Sequence, residues 1–304
     1  MLCIFNYFHG KTFSGDYMII RTDLAVERHE MNTAEDIKGV KIEEHENADC
    51  KATVIEITDI DGEKALGKPM GRYITLEMQS FPDSSVICDG RLDMLISSLE
   101  GLVPESGTVL VAGLGNPDIT PDAVGPWCAD KIFATRHIPK ASVSEMKLPP
   151  LRDVAVISTG VMGKTGIETG EIIAGVKEKI KPSCIIVIDA LAARSIGRLG
   201  TTIQLSDTGI EPGAGVGNKR QAINEKNLGV PVIAIGIPTV VDAATLTLDL
   251  TGREPEDEKY GNMMVTPKDT DIISSSGARL IALAINCALQ KNLSREEIIS
   301  LTMP

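Results

Sequence analysis

The chain predicts an α/β protein built on a doubly wound, mostly parallel sheet, with additional β elements near the N-terminus. Three observations carry this prediction. From about residue 108 onward, apolar β runs alternate with helix-like stretches, the order that crossover helices impose on parallel strands. The run Cys184-Ile-Ile-Val-Ile188 is apolar at every position, as a strand covered on both faces must be. Nearer the start, Ala52-Thr-Val-Ile-Glu-Ile-Thr-Asp59 and Tyr73-Ile-Thr-Leu-Glu-Met78 alternate with the period of a half-buried strand.

Taken in order, residues 1–20 hold Phe5, Tyr7, Phe8, Phe13 and Tyr17, five of the ten aromatics in the chain. Such a segment either docks on the body or is removed. His9, Gly10, Lys11, Ser14, Gly15 and Asp16 interrupt it and no basic region opens it, which argues against a signal peptide. An acid-rich stretch to about Asp49 precedes the two alternating runs, and Asp61-Gly62 between them reads as a strand connection. Leu95, Ile96, Leu99 and Leu102 put one apolar face on a helix over about 92–102. Beyond it the pattern predicts strands at 108–112, 153–158, 184–188, 201–205 and 231–236. Helices are expected at about 122–134, 169–180, 239–250 and 275–290.

Composition excludes several classes of function. A formal charge of −12 and a pI near 4.9, with no Lys/Arg run, argue against a nucleic acid as direct partner. No run approaches the ~18–20 uninterrupted apolar residues of a bilayer span, so no membrane partner is expected. The six cysteines form no Cys-x-x-Cys pair, the profile of reduced intracellular thiols. Gly113-Leu-Gly-Asn-Pro117 lacks the third glycine of a dinucleotide fingerprint, and Gly160 is misplaced for a phosphate-binding loop at Gly163-Lys-Thr165. No cofactor is expected.

The chemistry is concentrated in two acidic turns. Asp122 lies in Thr120-Pro-Asp-Ala-Val-Gly-Pro126, after the strand at 108–112; a structural reading makes it an aspartate that favours a helix N-terminus. Asp189 follows four β-branched residues at the carboxyl end of a buried strand, where a charge is expensive unless paired or used. Two close carboxylates cannot both ionise cheaply, so one holds a proton while the other serves as base. The same pair could instead hold a divalent metal. Between them, Ser158 to Glu171 forms a glycine-rich loop in which Gly160, Gly163, Lys164, Thr165 and Gly166 could line a cleft and present amides to an oxyanion, or merely connect strand to helix with Thr169 as N-cap. Asp242, in Gly236-Ile-Pro-Thr-Val-Val-Asp242, is better read as a plain first-turn aspartate than as a supporting carboxylate.

Arg21-Thr-Asp-Leu-Ala-Val-Glu27, the Gly-Leu-Gly-Asn turn with Asp122, the Gly160–Thr169 loop, Ile188-Asp-Ala-Leu-Ala-Ala-Arg194 and the Gly236–Asp242 run together resemble the spore germination endopeptidases, in order from about 21 to 245. The resemblance implies a peptidase stored in the developing spore as a zymogen, in the forespore or spore-core cytoplasm. It implies homotetramers, small acid-soluble spore proteins as substrates, and a fold similar to hydrogenase-maturation peptidases. In that family Asp122 and Asp189 match an atypical aspartic-type pair. Substrates of the family are cut after an acidic residue in a Thr-Glu-apolar-Ala context, which Thr22-Asp-Leu-Ala25 nearly copies. Self-cleavage between Asp23 and Leu24 is therefore expected, leaving residues 24–304 as one peptidase domain whose β-containing N-terminal portion spans about 50–80. An acidic specificity calls for a basic pocket, with Lys164, Arg194 or Arg198 as candidates, the alternative being that they are solvated surface charges. The alternatives are a metal-dependent peptidase using the same acids, a processing peptidase like those of hydrogenase maturation, and a catalytically silent storage or binding protein.

Overall fold

Residues 21–32, 37–81, 89–145, 148–213, 220–253 and 263–302 are described by a computed structural model of the chain; the aromatic segment 1–20 lies outside them. In chain order the elements begin with α1 (Ala25–Glu30), β1 (Val40–Glu46), β2 (Cys50–Ile57), α2 (Ile60–Leu66), β3 (Gly71–Met78) and α3 (Gly90–Glu100). Next come β4 (Val109–Leu114), α4 (Val124–Ala129), α5 (Lys140–Glu145), β5 (Val154–Gly160), α6 (Met162–Thr165), α7 (Thr169–Ile180), β6 (Cys184–Ala193) and β7 (Thr202–Ser206). The last are α8 (Glu225–Leu228), β8 (Val232–Asp242), α9 (Ala243–Thr251), β9 (Met264–Val265), α10 (Thr270–Leu289) and α11 (Arg295–Thr302).

Among the described residues the strands make one sheet in the order β1-β2-β3-β7-β8-β6-β4-β5, with β9 against β8. Its β8-β6-β4-β5 half is parallel, as the apolar runs predict. The other half, β1, β2, β3 and β7, is antiparallel throughout, and β7 joins the two halves by pairing antiparallel to both β3 and β8. Helices cover both faces. α3 sets Leu92, Leu95 and Leu99, fully buried, with α4 and α10 against one face. α7 places Ile173 with Leu110, Ala112, Ile185 and Val187 on the other. Over the antiparallel half, α1 buries Leu24, Ala25 and Val26 against Ile55, Ile57, Tyr73 and Leu191.

Several local expectations are corrected. Asp61-Gly62 is the first turn of α2, because the Asp59 carboxylate accepts the amides of both residues and caps a helix there. β1 lies in the acid-rich stretch that carried no strand signal; apart from the half-buried Val40 its side chains are largely exposed, and β2 supplies its pairing. β8 runs on to Asp242, paired with the extended end of β6, so α9 starts only at Ala243. The helix expected at 122–134 shortens to α4, preceded by a 3-10 turn at Thr120–Asp122. Glu168, not Thr169, caps α7, in a reciprocal capping box with Glu171. α10 is long and apolar enough to cross a membrane by composition alone, but 67% of its apolar window is buried as the core helix.

Candidate active site

The parallel half brings both predicted aspartates to one sheet edge. Gly113 of β4 pairs with Ile188 of β6, so Asp189 is the first β6 residue beyond the paired register and Asp122 lies in the turn that leaves β4. The turn can sit this close because Gly125 lies in the first turn of α4: a Cβ there would lie 2.2 Å from the Leu114 carbonyl oxygen and 2.5 Å from that of Ile188. Gly115 adopts φ +109°, and a side chain on it would meet the Asp122 carbonyl at 2.1 Å. The turn is fastened from outside as well. The Thr239 hydroxyl donates to Pro121 O at 2.7 Å and the Ser274 hydroxyl to Thr120 O at 3.1 Å.

Asp189 is 7% exposed, and its Oδ1 accepts the Ala190 amide at 2.9 Å. Burial first, and the charge of Asp122 second, push its pKa up to about 8. Burial also raises the Asp122 pKa, opposed by the Asn116 amide, which donates to Oδ2 at 2.8 Å, and by the charge of Arg220. Both carboxyls are thus raised by burial, and Asp189, pushed to about 8, is the one that holds a proton at neutral pH. Arg220 lowers both pKa values, yet it belongs to no motif, and a Lys-Arg dipeptide after a glycine-rich stretch gives no specific sequence signal.

Asp23 lies beside this pair. Leu24 is extended ahead of α1; the Asp23 amide donates to Ala192 O at 2.9 Å, and the Ala192 amide donates back to Asp23 Oδ2 at 2.8 Å. Asp23 is thereby joined to β6 three residues past Asp189, and its charge adds to the upward shift there. The Asp23 carbonyl oxygen accepts from Lys68 Nζ at 2.7 Å and from Gln204 Nε2 at 3.0 Å. On the other side of the peptide, Leu24 is fully buried, and its amide donates to Thr22 Oγ1 at 3.0 Å.

The remaining candidates are placed differently from expectation. The amides of Lys164 and Thr165 donate to Val161 O and that of Gly166 to Met162 O, inside α6 and its cap. They are therefore not free to meet an oxyanion. Gly160, at φ +67°, ends β5, and Gly163 and Lys164 are exposed; Lys164 forms an ion pair with Asp118, tying this loop to the Asp122 turn. Arg198 is committed to carboxylates of the chain itself, with Nη1 2.5 Å from Glu77, Nη2 2.6 Å from Glu30 and Nε 3.4 Å from Glu27. Glu27 also accepts the main-chain amides of Arg194 and Ser195 at 2.7 and 3.0 Å, so it is held by both Arg198 and the end of β6. Asp242 caps α9 through the Ala244 and Thr245 amides and pairs with Arg21 at 3.3 Å, the structural role that its position predicts. Among the described residues no three His, Cys, Asp or Glu side chains converge as metal ligands.

The fold and the site define an α/β protein with a carboxylate pair where two adjacent parallel strands end, and an acidic residue of its own chain tied beside it. Residues 19–252 match the germination protease family. The germination protease of Clostridium perfringens is 43% identical, over 92% of this chain and 98% of its own length. That of Clostridium tetani is 42% identical, over 93% and 99%, and that of Priestia megaterium 37%, over 91% and 95%. The chain belongs to the germination protease family, and is a peptidase acting on protein substrates. A [NiFe] hydrogenase maturation protease, HycI from Thermococcus kodakarensis, is 17% identical with a TM-score of 0.35, covering 62% of this chain and 98% of that one.

Proposed function

We propose that the protein is a zymogen endopeptidase that cleaves itself between Asp23 and Leu24, and then cuts small acid-soluble spore proteins after acidic residues. In this mechanism Asp122 takes a proton from a water that adds to the Asp23 carbonyl carbon. Asp189, protonated, gives its proton to the departing Leu24 nitrogen, so one water is consumed and two chain ends form. The observation that carries the reading is the attachment of Asp23 to β6 at Ala192, on the strand that bears Asp189. The family resemblance adds a homotetramer held in the forespore cytoplasm.

N-terminal sequencing of matured protein tests the cleavage: Leu24 is expected first, and any other start overturns it. Cleavage of a Thr-Glu-Ile-Ala peptide by the matured form tests the specificity, and sedimentation tests the tetramer. Activity that disappears on exhaustive chelation would transfer the two aspartates to a metal-dependent mechanism.

A further inference from the structure

We infer that Lys68 and Gln204 form the carbonyl-binding pair of the self-cleavage reaction, holding the Asp23 carbonyl and stabilising the oxyanion that forms on it. The inference rests on the proposed cleavage between Asp23 and Leu24 and names the groups that would replace the loop amides of residues 160–166.

Gln204 projects from β7 and is 8% exposed. Its amide spans the peptide in question: Nε2 donates to Asp23 O at 3.0 Å while Oε1 accepts from Ala25 N at 2.7 Å. A glutamine held at both ends cannot swing away from the carbonyl without exposing a buried amide. Lys68 reaches the same oxygen from the connection between α2 and β3, at 2.7 Å. Burial lowers the pKa of its ammonium, and the nearby Asp23 charge opposes that shift.

A lysine amine and an amide, both donating to one carbonyl oxygen, polarise the bond in the resting precursor. They strengthen as the oxygen gains charge, because the donors already point at it and need not move. The addition step balances. The water oxygen bonds to the Asp23 carbonyl carbon, its proton passes to Asp122, and the π electrons collect on the oxygen that Lys68 and Gln204 hold. Collapse returns those electrons, breaks the bond to Leu24 nitrogen and moves the Asp189 proton to that nitrogen. The Thr22 hydroxyl, which accepts the Leu24 amide and donates to Glu27, keeps the departing nitrogen in line.

The same geometry offers the acidic side chain its partners. The Ala192 amide holds the Asp23 carboxylate, and the Lys68 charge lies near it. A backbone amide and a lysine thus serve in place of Arg198, which is committed to Glu27, Glu30 and Glu77.

The test uses the full-length precursor of the wild type, Lys68→Met, Gln204→Leu and Lys68→Arg, with intact mass reporting the Leu24 start over time and thermal melts reporting folding. Loss of one such donor should slow maturation by about 10²–10³-fold in each of the first two variants, with the precursor still melting cooperatively. Lys68→Arg keeps the charge and should recover most of the rate. Should Lys68→Met fail to fold, Gln204→Leu and Lys68→Arg decide. Wild-type maturation at Leu24 with undiminished rates in Lys68→Met and Gln204→Leu overturns this pair and leaves the proposed cleavage standing. A wild-type start elsewhere overturns the cleavage and the pair together.

Discussion

Asp189 and Glu27 are both buried carboxylates, 7% and 2% exposed, and both lie against the C-terminal part of β6. Glu27 is surrounded by donors: the Arg194 and Ser195 amides, the Thr22 hydroxyl and the Arg198 guanidinium. Asp189 accepts the Ala190 amide and faces the charges of Asp122 and Asp23, which push its pKa the same way as burial does. The contrast separates two uses of a buried charge. A carboxylate matched by cations and amides fixes a shape, whereas one set against other carboxylates holds its proton loosely enough to exchange it near neutrality.

The sharpest way to break this comparison is to remove the charge from the mismatched pair. Asp122→Asn and Asp189→Asn should each slow appearance of the Leu24 start by about 10²–10⁴-fold while the precursor stays folded, as mass spectrometry beside circular dichroism will show. In the wild type the rate should fall as pH rises past about 8, where Asp189 gives up its proton. A rate that is flat from pH 6 to 10 would mean that Asp189 is not the acid.

On the matched side the loss should appear in stability. Arg198→Met strands Glu27, buried beneath it, and should cost about 3–5 kcal/mol in urea unfolding, since breaking a buried pair leaves an uncompensated charge. A cost below about 1 kcal/mol would place Arg198 with ordinary surface cations and reopen it as a substrate pocket.

Asp189 itself should oppose folding at neutral pH. Its folded pKa is raised to about 8, while an unfolded aspartate titrates near 3.9, so between those values the folded state binds the extra proton. The stabilisation that proton gives is complete below about pH 4 and is lost as pH climbs through 8. The loss is on the order of 4 kcal/mol by pH 7, from about 1.4 kcal/mol per unit. Asp189→Asn should flatten the dependence of Tm on pH across this window and melt above the wild type at pH 7. An unchanged slope would show that another group supplies it.

What the sequence made legible follows from the same physics. The parallel half announces itself, because strands buried on both faces are apolar at every residue and a charge placed after them, as at Asp189, has no ordinary reason to be there. Asp122 is legible only through the family motif, since on local chemistry it is one more helix-favouring aspartate. β1 escaped detection because its pairing comes from backbone groups, which leave no pattern in exposed Lys41, Glu43, Glu44 and His45. Lys68 and Gln204 are isolated in sequence and meet at Asp23 only through the antiparallel half of the sheet, so no spacing could reveal them. The loop at 160–166 misled for the opposite reason. Its glycines look like an anion-binding turn, but a short helix satisfies the amides of Lys164, Thr165 and Gly166 from within.

That loop supplies the smallest expected effect. Lys164 pairs with Asp118, but both side chains are well exposed, 45% and 73%, so solvent screens the attraction and the pair should contribute about 0–1 kcal/mol. Lys164→Ala should therefore leave urea unfolding within about 1 kcal/mol of the wild type, and the maturation rate close to unchanged, as mass spectrometry of the Leu24 start reads it. A maturation rate that falls with the Lys68→Met rate would place the Asp118–Lys164 tie in control of the Asp122 turn. The division between matched and mismatched charges would then have to be drawn through Asp118 as well.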